Sequence, residues 1–440
     1  MPHQDQGGLA AALRWLVAPA VFGDYSFRRD SVWTPASLTR AALLWAWGEG
    51  EALTDRLACA QETTAGLAGG QRGSVSYQAF MKLLVRHSGA LLFAFASALQ
   101  RRMREDLPGC YRVGGFLAFA VDGTRVDLPR TASNEQAFGC SGCRTRKRGR
   151  RRRAAQKKAA APRAWLTTLW HVGTGLPWAW THGPSYASER DHLREMLPRL
   201  PEGSLLTADA GFVGYEFWGD LQQAGHDFLI RVGANVKLIK QLGYFRECDQ
   251  RVYLWPDKQA GRRQPPITLR LIVAHGGKRP VYLVTSVLAK SRLSDNQAIE
   301  IYRARWGIEV FYRSFKQTFA RRKLRSGSPA NARVELGWSL AALWAACLYA
   351  KKQQVDRGGE PARTSVAGVL RILRRAIKKP TTAIKKLLAK ALVDTYQRKN
   401  KTSRGYPRKK NDQPGAAPPD ICKASKQQVK QAEQIRRLTA

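Results

Sequence analysis

From about residue 111 the sequence changes period, and that change limits the fold more than any other feature of the chain. Before it the pattern is helical. WTPASLTRAALLWAWGEG offers Thr34 as an N-cap, Pro35 at the first helical position and Gly48 as a stop. SVSYQAFMKLLVRHSGALLFAFASALQRRM continues as a longer helix capped by Ser74 or Ser76. Then YRVGGFLAFAVDGTRVDLPR reads as two strands joined at Asp122-Gly123-Thr124, and AWLTTLWHVGTGLPWAWTHG supplies two more. A short helix over 188–200 precedes a buried strand in GSLLTADAGF that ends at Asp209. This succession predicts an α/β chain on a mixed sheet. Between Asp209 and Glu309 lie HDFLIRVG, RVYLWP, PITLRLIVA and PVYLVTSVL, which read as a β-rich insertion.

The helix after the insertion is YRARWGIEVFYRSFKQTF, 302–319. Ile301, Ala304, Ile308, Phe311 and Phe315 recur at helical spacing and form a core stripe. Tyr302, Arg305, Glu309, Tyr312 and Lys316 repeat it one position on, which sets Glu309 among cationic and hydroxyl groups on the flank of the buried face. Glu309 could simply pair with Arg305 and Arg313, at ~0.2–0.5 kcal/mol per pair. A larger role needs other acids to meet it. Asp122 and Asp209 stand where strands end, each followed by small residues that leave room for a metal, although a strand-end aspartate is also a common turn residue. Carboxylates brought together repel unless cations neutralise them. Two hard divalent ions would do so, and would activate water or a 3′-hydroxyl in phosphodiester chemistry.

Charge narrows the partner. The chain has 74 Lys and Arg against 33 acids, a net charge of +41, which attracts a polyanion. Membrane surfaces and ribosomal RNA are rivals, but 13 Trp and a sizeable core do not suit a ribosomal or histone-like protein. DNA and RNA are not separable on charge alone. Residues 144–153 hold eight Lys or Arg in ten and read as a loop between strands; Arg371 to Lys410 hold fifteen with one acid, Asp394. The stretch 400–419 reads as a disordered tail.

Other chemistries find little support. Seven cysteines without framework spacing suit reduced thiols, and Cys140 and Cys143 form a CxxC with no second pair for a zinc ribbon. The N-terminus is not a signal peptide, and the apolar run Gly337 to Ala350 is shorter than the ~20 residues of a membrane span, so it reads as a buried helix. GxSxG, HExxH and GxxxxGK[ST] do not occur. Asp127 reads as a pairing or capping residue, Glu189 and Asp191 as first-turn helix acids, and His171 and His182 lack a nucleophile pattern.

The order and spacing of these residues resemble the IS-four-like family of DDE transposases of bacterial insertion sequences. Tyr302, Arg305, Glu309 and Lys316 match every interval of that family's Tyr-Arg-Glu-Lys signature. Its first acid lies in a DGT or DGS turn, here Asp122-Gly123-Thr124, and its second before a small-Gly-aromatic turn, here Asp209-Ala210-Gly211-Phe212. The resemblance covers roughly residues 30–350.

It implies a ribonuclease-H-like mixed-sheet core in which Asp122, Asp209 and Glu309 ligate two Mg²⁺ ions, with Mn²⁺ as a substitute. It implies that Tyr302, Arg305 and Lys316 contact transposon-end phosphates. Trp306 beside them would stack on an unpaired base or be buried between helix and sheet. The implied activity is metal-dependent cleavage at insertion-sequence ends and strand transfer into target DNA, commonly through a hairpin on the transposon end. Double-stranded DNA and a second copy of the chain are the implied partners, with no membrane, in the bacterial cytoplasm at the nucleoid. The organisation expected is a helical DNA-binding domain over 1–110, core over 111–215 and 298–355, a β-rich insertion over 216–297, and a basic helical region with its tail over 356–440. Two rivals are an inactive transposase-derived DNA-binding protein and a ribonuclease-H-like nuclease that does not transpose.

Overall fold

A computed structural model describes residues 8–28, 31–50, 52–68, 75–139, 161–275, 280–379, 382–393 and 417–439. The basic loop 144–153, Cys140 and Cys143, and 400–416 of the expected tail lie outside the described residues. The N-terminal part is helical: α1 (Leu9–Leu16), α2 (Pro35–Trp47), α3 (Leu53–Ala68), α4 (Tyr77–Asp106) and the single turn α5 (Pro108–Tyr111). Local signals place the ends of α2. Thr34 and Ser37 form a reciprocal capping box, Pro35 opens the helix and Gly48 follows it. For α4 the cap is Ser76, which accepts a hydrogen bond from the Ala79 N–H at 3.2 Å.

The centre is one sheet of ten strands: β1 (Ala118–Asp127), β2 (Arg163–His171), β3 (Leu176–Gly183), β4 (Leu205–Ala208), β5 (Asp227–Val232), β6 (Lys237–Lys240), β7 (Arg251–Leu254), β8 (Ile267–Ala274), β9 (Val281–Thr285) and β10 (Asp420–Lys423). Their spatial order is β10-β6-β7-β8-β9-β5-β4-β1-β2-β3. β1, β2 and β3 are mutually antiparallel, while β4 runs parallel to β1 and β5 parallel to β4. The strands of the expected insertion extend this same sheet: β9 pairs with β5 from Leu229↔Thr285 to Val232↔Tyr282, and β8, β7 and β6 follow outward. β10 lies parallel to β6 at the far edge.

One local expectation is corrected here. Residues 118–127 are a single strand, not two joined at Asp122-Gly123-Thr124. Every position from Phe119 to Asp127 has a partner on β2, ending at Asp127↔Arg163, so the ladder overrides the turn chemistry of Asp-Gly.

The remaining helices are α6 (Ala132–Phe138), α7 (Glu189–Met196), α8 (Tyr215–Gln223), α9 (Asp257–Gly261), α10 (Asp295–Ala304), α11 (Gly307–Arg313), α12 (Pro329–Val355), α13 (Val366–Lys378), α14 (Ile384–Ala389) and α15 (Lys426–Thr439). The apolar run 337–350 lies in α12, which is buried almost all round because α2, α4, α13 and α14 surround it. The Trp47 indole donates to the Ala342 carbonyl and that of Trp338 to the Ser88 hydroxyl, each at 2.8 Å, which joins the N-terminal helices to the core. Among the described residues α4 is the one helix long and apolar enough to cross a membrane, and it packs its buried face against α12. At the other end of the sheet, Ala432 and Ile435 of α15 fill a small cluster with Ile239, Leu242, Tyr253 and Trp255.

Candidate active site

The site forms where β4 stops. Pairing between β1 and β4 ends at Ala120↔Thr207, and the chain leaves the sheet at Asp209. Asp122 therefore sits within β1, yet beside the open carboxyl end of a parallel neighbour, where open α/β sheets commonly present their ligand sites. Gly123 has no positive φ and is not a turn glycine. It is small because a Cβ there would lie 2.8 Å from the Glu189 Cδ and 2.8 Å from the Trp165 Nε1.

Asp209 caps a 3-10 turn, Ala210–Phe212, by accepting a hydrogen bond from the Gly211 N–H at 2.8 Å. Three donors hold that turn: Arg190 to the Gly211 carbonyl (2.9 Å), Asn235 to that of Ala210 (3.2 Å) and Trp218 to that of Phe212 (3.1 Å).

Glu309 comes from α11. The sequence predicts a single regular helix through this region, and the structure differs. α10 ends at Ala304, Arg305 and Trp306 form a tight turn, α11 begins at Gly307, and Ser314–Thr318 widen into a π-helical turn. The cause is a long-range contact. Gly307 rests on the Trp170 ring, where a Cβ would lie 2.7 Å and 2.8 Å from two ring carbons. The irregular winding re-aims two side chains of the predicted stripes: Ala304 is exposed, and Tyr312 is buried. The Tyr312 hydroxyl donates to the Asp122 carbonyl at 2.7 Å and ties α11 to β1.

The three predicted acids gather around one guanidinium. Arg305 donates to Glu309 at 3.1 Å. Burial works against the Arg305 charge, but Tyr302, Asp122, Glu309 and Asp209 outweigh it and raise its pKa. Burial pushes the Asp122 carboxyl up to about 6; the Gly123 N–H and Arg305 oppose the shift, and the charges of Asp209 and Glu309 add to it. Tyr302 is part of the same group, its pKa raised by burial and partly restored by Arg305. Lys316 stands apart, bonded to the Thr124 hydroxyl, with burial lowering its pKa. Trp306 is 60% exposed, which excludes the buried alternative. Asp127, read as a pairing residue, is bonded to Arg163 at 2.8 Å. His171 and His182 are buried, with pKa values lowered by burial.

One carboxylate beside the site has no strong signal in the sequence. Glu189 lies over Gly123, and burial, then the charges of Asp122 and Asp209, push it to about 7. The available sign was the glycine after Asp122, which in a strand marks close approach of another group.

Comparison with known proteins bears on this arrangement. Residues 114–345 match the family model of the transposase DDE domain. Over 232 residues the chain is 26% identical to the transposase InsG for insertion sequence element IS4 of Escherichia coli (strain K12), covering 50% of this chain and 49% of that one. The chain thus spans about half the length of the curated relative it matches. A cryo-EM structure of the piggyBac transposase synaptic complex with hairpin DNA aligns with a TM-score of 0.40 and 11% identity, over 86% of this chain and 81% of that one. The family match takes in more than half of the chain, including β1, the Asp209 turn and α11, and the chain belongs to the DDE transposases of the IS4 family.

Proposed function

We propose that the chain cuts DNA at the ends of an insertion sequence and joins the freed ends to target DNA. The observation that supports this most is the meeting of Asp122, Asp209 and Glu309 around Arg305 at the open end of β4. The strand order β3-β2-β1-β4-β5, three antiparallel strands and then two parallel ones, supports a ribonuclease-H-like core.

The donor set suits a hard divalent cation, since all three groups are carboxylates and Asp122 lies in a group short of positive charge. Among the described residues no three such groups already close on one point, so binding requires them to draw in. Asp122, Asp209 and Glu309 would hold two Mg²⁺ ions, with Mn²⁺ as a substitute. Bound there, the ions supply an activated water or 3′-hydroxyl and neutralise the departing oxygen. Arg305 orients Glu309 and, with Tyr302 and the free donors of Lys316, addresses phosphate oxygens of the transposon end. Trp306 presents its ring to solvent, where an unpaired base can stack on it.

The helices within 1–110 would read the transposon end, and the net charge of +41 strengthens DNA binding through counterion release. A homodimer would hold two ends, each at its own site, in the bacterial cytoplasm at the nucleoid. The test uses the protein with DNA flanking its own element, Mg²⁺ and a target plasmid. The native chain nicks at the element boundary and joins the ends, while Glu309→Gln binds without cutting. A native chain that binds and does not cut, in Mg²⁺ or in Mn²⁺, overturns the proposal.

A further inference from the structure

Glu189 opens α7, where the helix dipole alone explains an acid. A dipole partner would point into solvent, as Asp191 does with its side chain 67% exposed beside Arg194. Glu189 folds inward instead, and its carboxyl lies against Gly123. Among the described residues it has neither hydrogen bond nor ion pair. The nearest cation acting on it, Arg125, lies over the Trp165 ring at 4.6 Å. The Trp165 indole N–H, buried and without a partner, borders the same glycine.

Its position is fixed from both sides. Arg190, the next residue, anchors α7 to the turn that carries Asp209 through the Gly211 carbonyl at 2.9 Å. Side chains alternate along β1. Thr124 faces Lys316 on the side of α11, so Gly123 faces the opposite side, from which Glu189 arrives. A glycine inside a paired strand weakens that strand, and three like charges near one strand end repel. The fold accepts both penalties at one point, and a divalent cation is the partner that turns such repulsion into binding.

We propose that Glu189 is a fourth metal-directed carboxylate, closing the cation site from the sheet face opposite Glu309. This rests on the transposase reading above. The first test is Mn²⁺ alone, followed by electron paramagnetic resonance of the free ion, with native chain, Glu189→Gln, Glu189→Asp and Asp122→Asn. Glu189→Gln keeps the shape of the side chain and should melt no lower than the native chain. It should bind Mn²⁺ at least about tenfold more weakly, Glu189→Asp should fall between, and nicking of element-end DNA should drop while DNA affinity holds. A Glu189→Gln chain that matches a native chain able to bind Mn²⁺ and cut overturns this inference alone. A native chain that neither binds Mn²⁺ nor cuts overturns both readings.

Discussion

Replacing Gly307 by alanine sets local propensity against tertiary contact. In a helix the change should stabilise by up to ~1 kcal/mol, since glycine is the weaker helix former. The structure predicts the reverse. The new Cβ would lie 2.7 Å and 2.8 Å from two carbons of Trp170, whereas ordinary contact begins near 3.4 Å. Trp170 is 6% exposed and stands in β2 between Ala120 and Pro177, so the helix must yield rather than the ring. A retreat of roughly 1 Å relieves the overlap in a close-packed interior. Overpacking of this kind costs ~1–3 kcal/mol, and a displacement of that size at Glu309, two residues on, should lower end cleavage about 10²-fold. Denaturant unfolding and nicking of element-end DNA measure the two effects. Gly89→Ala is the control: that glycine is inside α4 with nothing within 4 Å of its added Cβ, and the change should stabilise. A Gly307→Ala chain as stable and as active as the native one refutes the argument that Trp170 sets the helix position.

Three further outcomes are expected. Arg321→Met should destabilise by ~3–5 kcal/mol in denaturant unfolding, because the buried guanidinium bonds Ala46 and Phe319 carbonyls and the Ser339 hydroxyl, linking three parts of the core; a loss under ~1 kcal/mol would show those bonds to be dispensable. Burial holds His171 neutral, with a pKa of about 4, so its contribution is fully present above the unfolded value near 6.5 and is lost as pH falls toward 4, by up to ~3 kcal/mol. Stability measured against pH should show that fall, and His171→Asn should flatten it; an unchanged slope in the variant contradicts the assignment. Trp306→Ala should leave stability within ~0.5 kcal/mol, since the ring is 60% exposed, and should reduce end cleavage; unchanged cleavage would remove the residue from the DNA contact.

What the sequence discloses follows the range of the forces involved. The caps of α2 are legible because Thr34, Pro35 and Ser37 act within one turn. The grouping of Tyr302, Arg305 and Glu309 is legible because helical spacing survives the tight turn at Arg305 and Trp306. Asp122-Gly123-Thr124 misleads, since the same three residues suit a turn, and the choice belongs to β2, whose pairing residues lie about forty positions further on. The break at Gly307 depends on Trp170, and the inward fold of Glu189 on Gly123, both remote contacts that leave no periodic trace. The single sheet is hidden for the same reason: only the pairing of β5 with β9 decides whether the later strands join it or stand alone.

The seating of β10 on β6 has a consequence in time. Lys240 leaves the ribosome long before Lys423 is made, and the interval is 183 residues (423 − 240). At ~5–20 residues per second this is roughly 10–40 s of synthesis. Throughout it β6 has antiparallel β7 on one side and nothing from its own chain on the other. A bare strand edge invites pairing with foreign strands, so nascent chains on neighbouring ribosomes carry a window of mutual stickiness that closes when β10 docks. Slow translation of the last fifth of the message lengthens that window, and a low rate of synthesis separates the chains that would meet in it.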